Sequence, residues 1–340
     1  PPRPAPHPPA PHGAALRGAR RELAGAGDTG GLGAERTAPL AGLVAAFIFA
    51  VQMLNFPVGA GTSGHLLGGA LAAILVGPWT GVLCVSVVLL MQGILFADGG
   101  LTALGVNITT MGVVTVVTAY AVFRGLLALL PAKRRSVTVA SFAAALVSVP
   151  AAAAFFTALF AIGGTTDVSV GKVLTAMVGV HTLIGIGEGA ITAATVGAVL
   201  AVRPDLVHGA RGLTTPLKLR IGGELVDAPA AAPAAPAPAR SAAALWATGL
   251  ATALVLAGVV SFYASADPDG LEKVAADHGI DQRAQEHAAA GSPLADYAVK
   301  DVADERLSGG LAGAIGVGAT VAVGTGVFWA ARGRRRADAV

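Results

Sequence analysis

Gly61-Thr62-Ser63-Gly64-His65-Leu66-Leu67-Gly68-Gly69-Ala70-Leu71-Ala72-Ala73-Ile74-Leu75-Val76-Gly77-Pro78-Trp79 is a glycine-rich run with one histidine, leading straight into an apolar stretch and a Gly-Pro-Trp turn. Histidine is a common metal ligand, and glycine permits close backbone approach and close helix packing. The fold turns on whether the apolar stretch belongs to a soluble core or to a membrane. Composition decides for the membrane: 54% of the 340 residues are hydrophobic and 13% charged, against about 25% charged in soluble domains. The mean hydropathy is +0.69.

Working outward, apolar segments occupy about 38–58, 63–77, 79–97, 103–130, 137–163 and 171–202, with two more at 241–263 and 310–331. A helix needs about 20 such residues to cross a bilayer core. The second segment is short, and Gly77-Pro78-Trp79 reads as a tight turn joining it to the third. The expected fold is an all-α integral membrane bundle of about eight transmembrane helices. Residues 1–37 are rich in Pro, Ala, Gly and Arg without apolar periodicity, and read as disordered. They are not a signal peptide, since no apolar centre follows the first charges. Residues 203–240 read as a cytoplasmic linker ending in a semi-rigid Pro/Ala tract. The chain therefore divides at 38–202, a six-helix membrane domain, and 241–331, two helices around a polar loop at 264–309. A basic tail, 332–340, follows.

Charge sets the orientation. With Lys133, Arg134 and Arg135 in the cytoplasm, eight spans place Arg17, Arg20, Arg21, Arg203, Arg211, Lys218, Arg220 and the Arg332–Arg336 tail on the same side. The start of the His65 run, the 97–102 loop and the 264–309 loop then lie outside. The basic clusters thus report topology, and the interleaved aromatics of a nucleic-acid surface are absent. The single cysteine, Cys84, has no partner in the chain for a disulfide and cannot build a thiolate site alone.

Polar groups at membrane depth usually face a bundle interior or a cavity. Here they are His65, Gln52, Asn55 and Asn107 near the outer ends of helices, and His181 and Glu188 deeper on the sixth, with Asp98 in an outer loop. His65 is either a ligand or a hydrogen-bonding partner of a neighbouring helix. His181 and Glu188, two helical turns apart on one face, are either an interhelical hydrogen-bond pair or a proton or cation path. Asn55 and Asn107 line a cavity or join helices, and Gly64 with Gly68 reads as a small-xxx-small packing pair. From Asp267 to Arg306 the outer loop carries ten of the chain's 20 acids, Asp267, Asp269 and Glu272 first among them, against four bases. That surface would raise the local cation concentration. No Walker loop, Gly-x-Ser-x-Gly or His-Glu-x-x-His is present, which argues against an enzyme.

Ala46–Val58, Gly61–Gly69, Phe96–Asn107 and His181–Gly189, in that order, resemble the CbiM/NikM family, the membrane substrate-binding subunits of energy-coupling-factor transporters for cobalt and nickel. Ser261–Ser265, the Pro268-Asp269-Gly270-Leu271-Glu272 motif, Ser292–Tyr297 and Gly309–Gly318 resemble the PDGLE/CbiN-like accessory domain. The resemblance implies a fusion in a bacterial cell membrane that captures Co²⁺ or Ni²⁺ from outside as transported substrate, with no organic cofactor. Its implied partners are a coupling membrane subunit and ATP-binding cassette ATPases. It implies His65 as a metal ligand, the other donors coming from a Met-His start, and an accessory loop that assists loading. This chain begins at Pro1 without that start or the helix after it. The expectation is therefore a mis-started or truncated sequence whose metal site, as written, is incomplete. Two other functions compete: a secondary cation transporter or channel using His181 and Glu188, and a degenerate, non-transporting membrane protein.

Overall fold

The computed structural model describes residues 30–59, 62–164, 168–210, 218–221, 224–227, 242–265, 267–277, 279 and 287–337. The expectations for residues 1–29, for the Pro/Ala tract of the linker and for His278 lie outside the described residues.

Helix α1 (Gly30–Gln52) leads into a hairpin of β1 (Phe56–Gly59) and β2 (Thr62–Gly64). Then come α2 (Gly69–Val76), α3 (Pro78–Leu95), α4 (Leu104–Leu129), α5 (Arg134–Gly163) and α6 (Val170–Val202). Two 3₁₀ turns (Pro204–Leu206 and His208–Ala210) and a small hairpin of β3 (Lys218–Ile221) and β4 (Glu224–Asp227) stand where a plain linker is expected. Helix α7 (Ala242–Gly258), the short α8 (Gly270–Asp277) and α9 (Glu305–Ala337) complete the chain.

The all-α membrane architecture holds, and the expected count of eight spans is not reproduced by length and apolarity. Among the described residues, six helices are long and apolar enough to cross a membrane: α3, α4, α5, α6, α7 with its following turn, and α9. The apolar part of α1, Pro39–Gln52, is shorter. The larger departure is segment 63–77. Its helix, α2, has eight residues and rises about 12 Å, less than half of a bilayer core of about 30 Å. The rest of this leg, residues 62–68, is strand and irregular backbone. Such backbone survives at membrane depth only when protein encloses it, and Gly69 through Leu75 are all buried. Ile48, Phe49, Leu71, Ile74, Val85, Val88 and Phe123, from α1 to α4, form the surrounding core. Trp79, Leu129 and Ile162 are more than 80% exposed, the mark of a surface that meets lipid.

Sequence explains the close approaches. Gly77 takes φ 89° and ψ 161°, open to glycine alone, and Pro78 starts α3 at its first helical position. Pro150 inside α5 has no N–H for the carbonyl of Leu146 four residues earlier. Gly185 of α6 lies against that carbonyl, where a Cβ would come within 2.9 Å of it. In the second module α9 packs along α1, its Gly316 meeting Phe49 where a Cβ would overlap the ring.

Candidate metal site

The hairpin delivers the histidine. Phe56 pairs with Gly64 and Pro57 with Ser63, so the chain leaves β2 at His65 facing α6. Gly64 is pressed on Ile184 with no room for a Cβ. Gly68 is left-handed at φ 78° and turns the chain into α2. Gly64 and Gly68 therefore do not form a helical small-xxx-small pair, because neither lies within a helix. One makes a strand-to-helix contact and the other a turn.

The loop is clamped from two sides. The Glu188 carboxyl of α6, fully buried, accepts the N–H groups of Leu67 at 2.8 Å and Gly68 at 3.1 Å. From α1, Gln52 Nε2 donates to the Leu67 carbonyl at 2.9 Å. Loop amides that a bilayer could not satisfy are thus paired. His65 Nδ1 lies 3.0 Å from the Leu66 carbonyl. A carbonyl can only accept, so this geometry assigns the hydrogen to Nδ1 and leaves a lone pair on Nε2. His181 Nδ1 lies 2.8 Å from the Met177 carbonyl of its own helix, with the same consequence. His181 thus serves its own helix and Glu188 the His65 loop. That departs from the expected interhelical pair, since neither side chain is hydrogen-bonded to another helix among the described residues.

His65 borders two cavities. The smaller also has His181, Asn107, Met177 and Asp269 in its wall. The larger is lined by Asn55, Asp98, Asn107, Asp269 and Glu272 among others. Both meet α4 at Asn107 and Met111, where the helix relaxes into a π segment over Ile108–Val114. Such segments recur at functional sites.

The accessory loop closes one wall. Pro268 offers its carbonyl to Ser63 N–H at 2.8 Å, Asp267 offers its own to the Ser63 hydroxyl at 2.7 Å, and Ser265 N–H donates to the Asn55 carbonyl at 2.7 Å. The following residues form a capping box. Asp269 Oδ1 accepts from Leu271 and Glu272 N–H, both at 2.8 Å, and Glu272 Oε2 accepts from Asp269 N–H at 2.9 Å. At Gly270 a Cβ would stand 2.8 Å from Val180 and 3.5 Å from the His181 ring. The motif thus builds a short helix and seats its start on α6 beside His181. Val274 then joins Ala153, Val173 and Met177 in a small core.

A second contact lies across the mouth. Tyr297 O–H donates to Asp98 Oδ2 at 2.6 Å, and its ring stacks on Phe96 at 4.8 Å between centroids. Burial, then the Asp98 charge, pushes the Tyr297 phenol well above its ordinary value, so it stays a donor at physiological pH. Asn107 Nδ2 donates to the Gly99 carbonyl at 2.9 Å and ties down the 97–102 loop.

His65, His181, Asn55, Asn107, Asp98, Asp269 and Glu272 therefore line two cavities that share His65, Asn107 and Asp269, whereas Glu188 acts through backbone and Asp267 through its carbonyl. Among the described residues no three His, Cys, Asp or Glu side chains converge closely enough to hold an ion. Gln52 is the group that sequence reading left without a role. Its only signal was an amide at the end of an apolar helix.

Comparison with known proteins matches these regions. The family model for a cobalt uptake substrate-specific transmembrane region, CbiM, covers residues 28–206, and a PDGLE domain covers 243–333. A candidate fused nickel transport protein, NikMN, of Archaeoglobus fulgidus is 43% identical over 51% of this chain and 57% of its own length. The cobalt transport protein CbiM of Sorangium cellulosum is 36% identical over 50% of this chain and 76% of its own. A crystal structure of a transition metal transporter shares 28% identity over 49% of this chain and 78% of that one, at a TM-score of 0.44. This chain thus spans little more than half the length of the Archaeoglobus relative. It is a multi-pass membrane protein that belongs to the CbiM family of cobalt uptake substrate-specific transmembrane regions, with a PDGLE domain joined behind it.

Proposed function

We propose that this chain is the substrate-capture component of a Co²⁺ or Ni²⁺ importer, working with a coupling membrane subunit and ATP-binding cassette ATPases in the cell membrane. One observation carries the reading: within the region matching CbiM, His65 sits on a clamped loop beside two cavities, with no hydrogen bond to its Nε2 among the described residues. Imidazole nitrogen suits both Ni²⁺ and Co²⁺. The names of the relatives, nickel transport for one and cobalt transport for the other, support the same ions. His65 is the ligand in this reading, and Glu188 and Gln52 fix the loop that presents it. Asp269 and Glu272 close the mouth from the accessory module. The chain does not carry out a reaction, and the transport energy comes from its ATPase partners.

The test is uptake of radiolabelled nickel and cobalt by cells carrying His65→Ala at the chromosomal locus. Uptake should fall to background. Deleting the ATPase genes should do the same. Uptake that persists without them would instead support an ion-gradient-driven carrier.

A further inference from the structure

A second imidazole borders the smaller cavity. His181 stands in its wall with His65, and of the two cavities it borders this one alone. The two rings are held alike. Nδ1 of His65 lies 3.0 Å from the Leu66 carbonyl and Nδ1 of His181 lies 2.8 Å from the Met177 carbonyl, so each Nε2 carries a lone pair. The sealed and unpaired side-chain polar atoms of the described residues are Gln52 Oε1, Thr192 Oγ1, His287 Nε2 and Thr320 Oγ1, and neither of these nitrogens is among them. Both therefore keep contact with open space.

The hydrogen bond to its own helix does not call for a histidine. One residue on, the Thr182 hydroxyl makes the same bond, donating to the Val178 carbonyl at 2.7 Å. What imidazole adds is the second nitrogen. The ring edge beside that nitrogen is backed by the accessory module, where a Cβ on Gly270 would stand 3.5 Å from His181 Cε1. The thioethers of Met111 and Met177 border the same cavity. Its one carboxylate, Asp269, commits Oδ1 to the N–H groups of Leu271 and Glu272. Imidazole and thioether suit borderline transition-metal ions, whereas Mg²⁺ and Ca²⁺ take oxygen ligands. The larger cavity is lined by the 97–102 loop at Asp98 and Gly99 and by the accessory loop at Ser265 and Glu272. An ion arriving through it meets His65 first, and His181 only in the smaller cavity.

We propose that His181 is a second nitrogen donor, which takes the transported ion from His65 within the smaller cavity. The proposal deepens the reading of His65 as the capturing ligand and rests on it. The ion exchanges one Nε2 lone pair for another. No proton or electron moves, because each Nδ1 hydrogen stays on its carbonyl. Capture then belongs to His65 and onward passage to His181, so affinity and transport rate are set by different residues.

The experiment pairs equilibrium binding of radiolabelled Ni²⁺ to the full chain in nanodiscs with saturation curves of Ni²⁺ uptake by cells carrying the same variants. His181→Asn is the decisive change, since its amide keeps a donor for the Met177 carbonyl and removes Nε2. It should bind Ni²⁺ as the parent does, while the maximal uptake rate falls about tenfold or more at an unchanged KM. Parent-like uptake would overturn the proposal and leave His181 only its helix hydrogen bond. Loss of Ni²⁺ affinity at an unchanged melting temperature would overturn it too, by placing His181 in capture itself. A second pair, His181→Met and His181→Leu, has similar shape and differs in the donor. The Met variant should transport faster, and equal rates would count against a donor role. Failure of the underlying reading has its own mark, uptake that persists in His65→Ala. Background uptake in His65→Ala beside parent-like uptake in His181→Asn would sink the present proposal alone.

Discussion

Two short segments meet at the candidate site and are held in opposite ways. The His65 loop has almost no local structure of its own. Its amides and carbonyl are satisfied by Glu188, more than a hundred residues away, and by Gln52 on α1. The accessory segment at 267–272 is largely self-sufficient: its aspartate and glutamate cap the helix they begin, and only its carbonyls and one glycine reach across. The difference separates rigidity from adjustability. Buried side chains inside a bundle hold the first segment. A solvent-facing cap holds the second, and a lost cap costs little.

The comparison breaks hardest at Glu188. Glu188→Ala strands two buried N–H groups, at a cost of about 3 kcal/mol or more. Thermal unfolding in nanodiscs should show a clear drop in melting temperature, and metal capture should disappear. An unchanged melting temperature would remove the clamp. Gly64→Ala comes next, because its Cβ would collide with Ile184. Overpacking should cost about 1–3 kcal/mol, and adding Ile184→Ala should restore most of it. Failure of that rescue would locate the strain elsewhere. On the accessory side, Asp269→Ala should cost about 1 kcal/mol and raise amide exchange across 270–277, slowing loading while the affinity of a loaded site is unchanged. Asp269→Ser, which can still cap, should behave almost as the parent. Tyr297→Phe is the smallest change, about 0.5 kcal/mol, visible as faster exchange in the 97–102 loop.

The same contrast explains what could be read in the sequence. Long apolar runs dictate α3 to α6, α7 and α9, because a bilayer leaves a lone apolar segment few other choices. The Asp269–Glu272 spacing carries its capping role within four residues. The eight-residue α2 was not legible as such: segment 63–77 is apolar enough for a span, and only enclosure by α1, α3 and α4 lets its backbone break. His65 stood out as an isolated imidazole at the outer end of an apolar stretch. The clamp did not, since nothing near Glu188 in sequence points to residues 67 and 68. Gln52 was hidden for the same reason.

The central claim is that His65 binds the transported ion through Nε2 on a loop fixed from inside the bundle. X-ray absorption at the cobalt edge, on the full chain in nanodiscs with bound Co²⁺, tests it most directly. Imidazole scattering should be present in the parent chain, lost in His65→Ala and retained in His181→Ala. A Co²⁺ spectrum with the same imidazole signature in His65→Ala would contradict it.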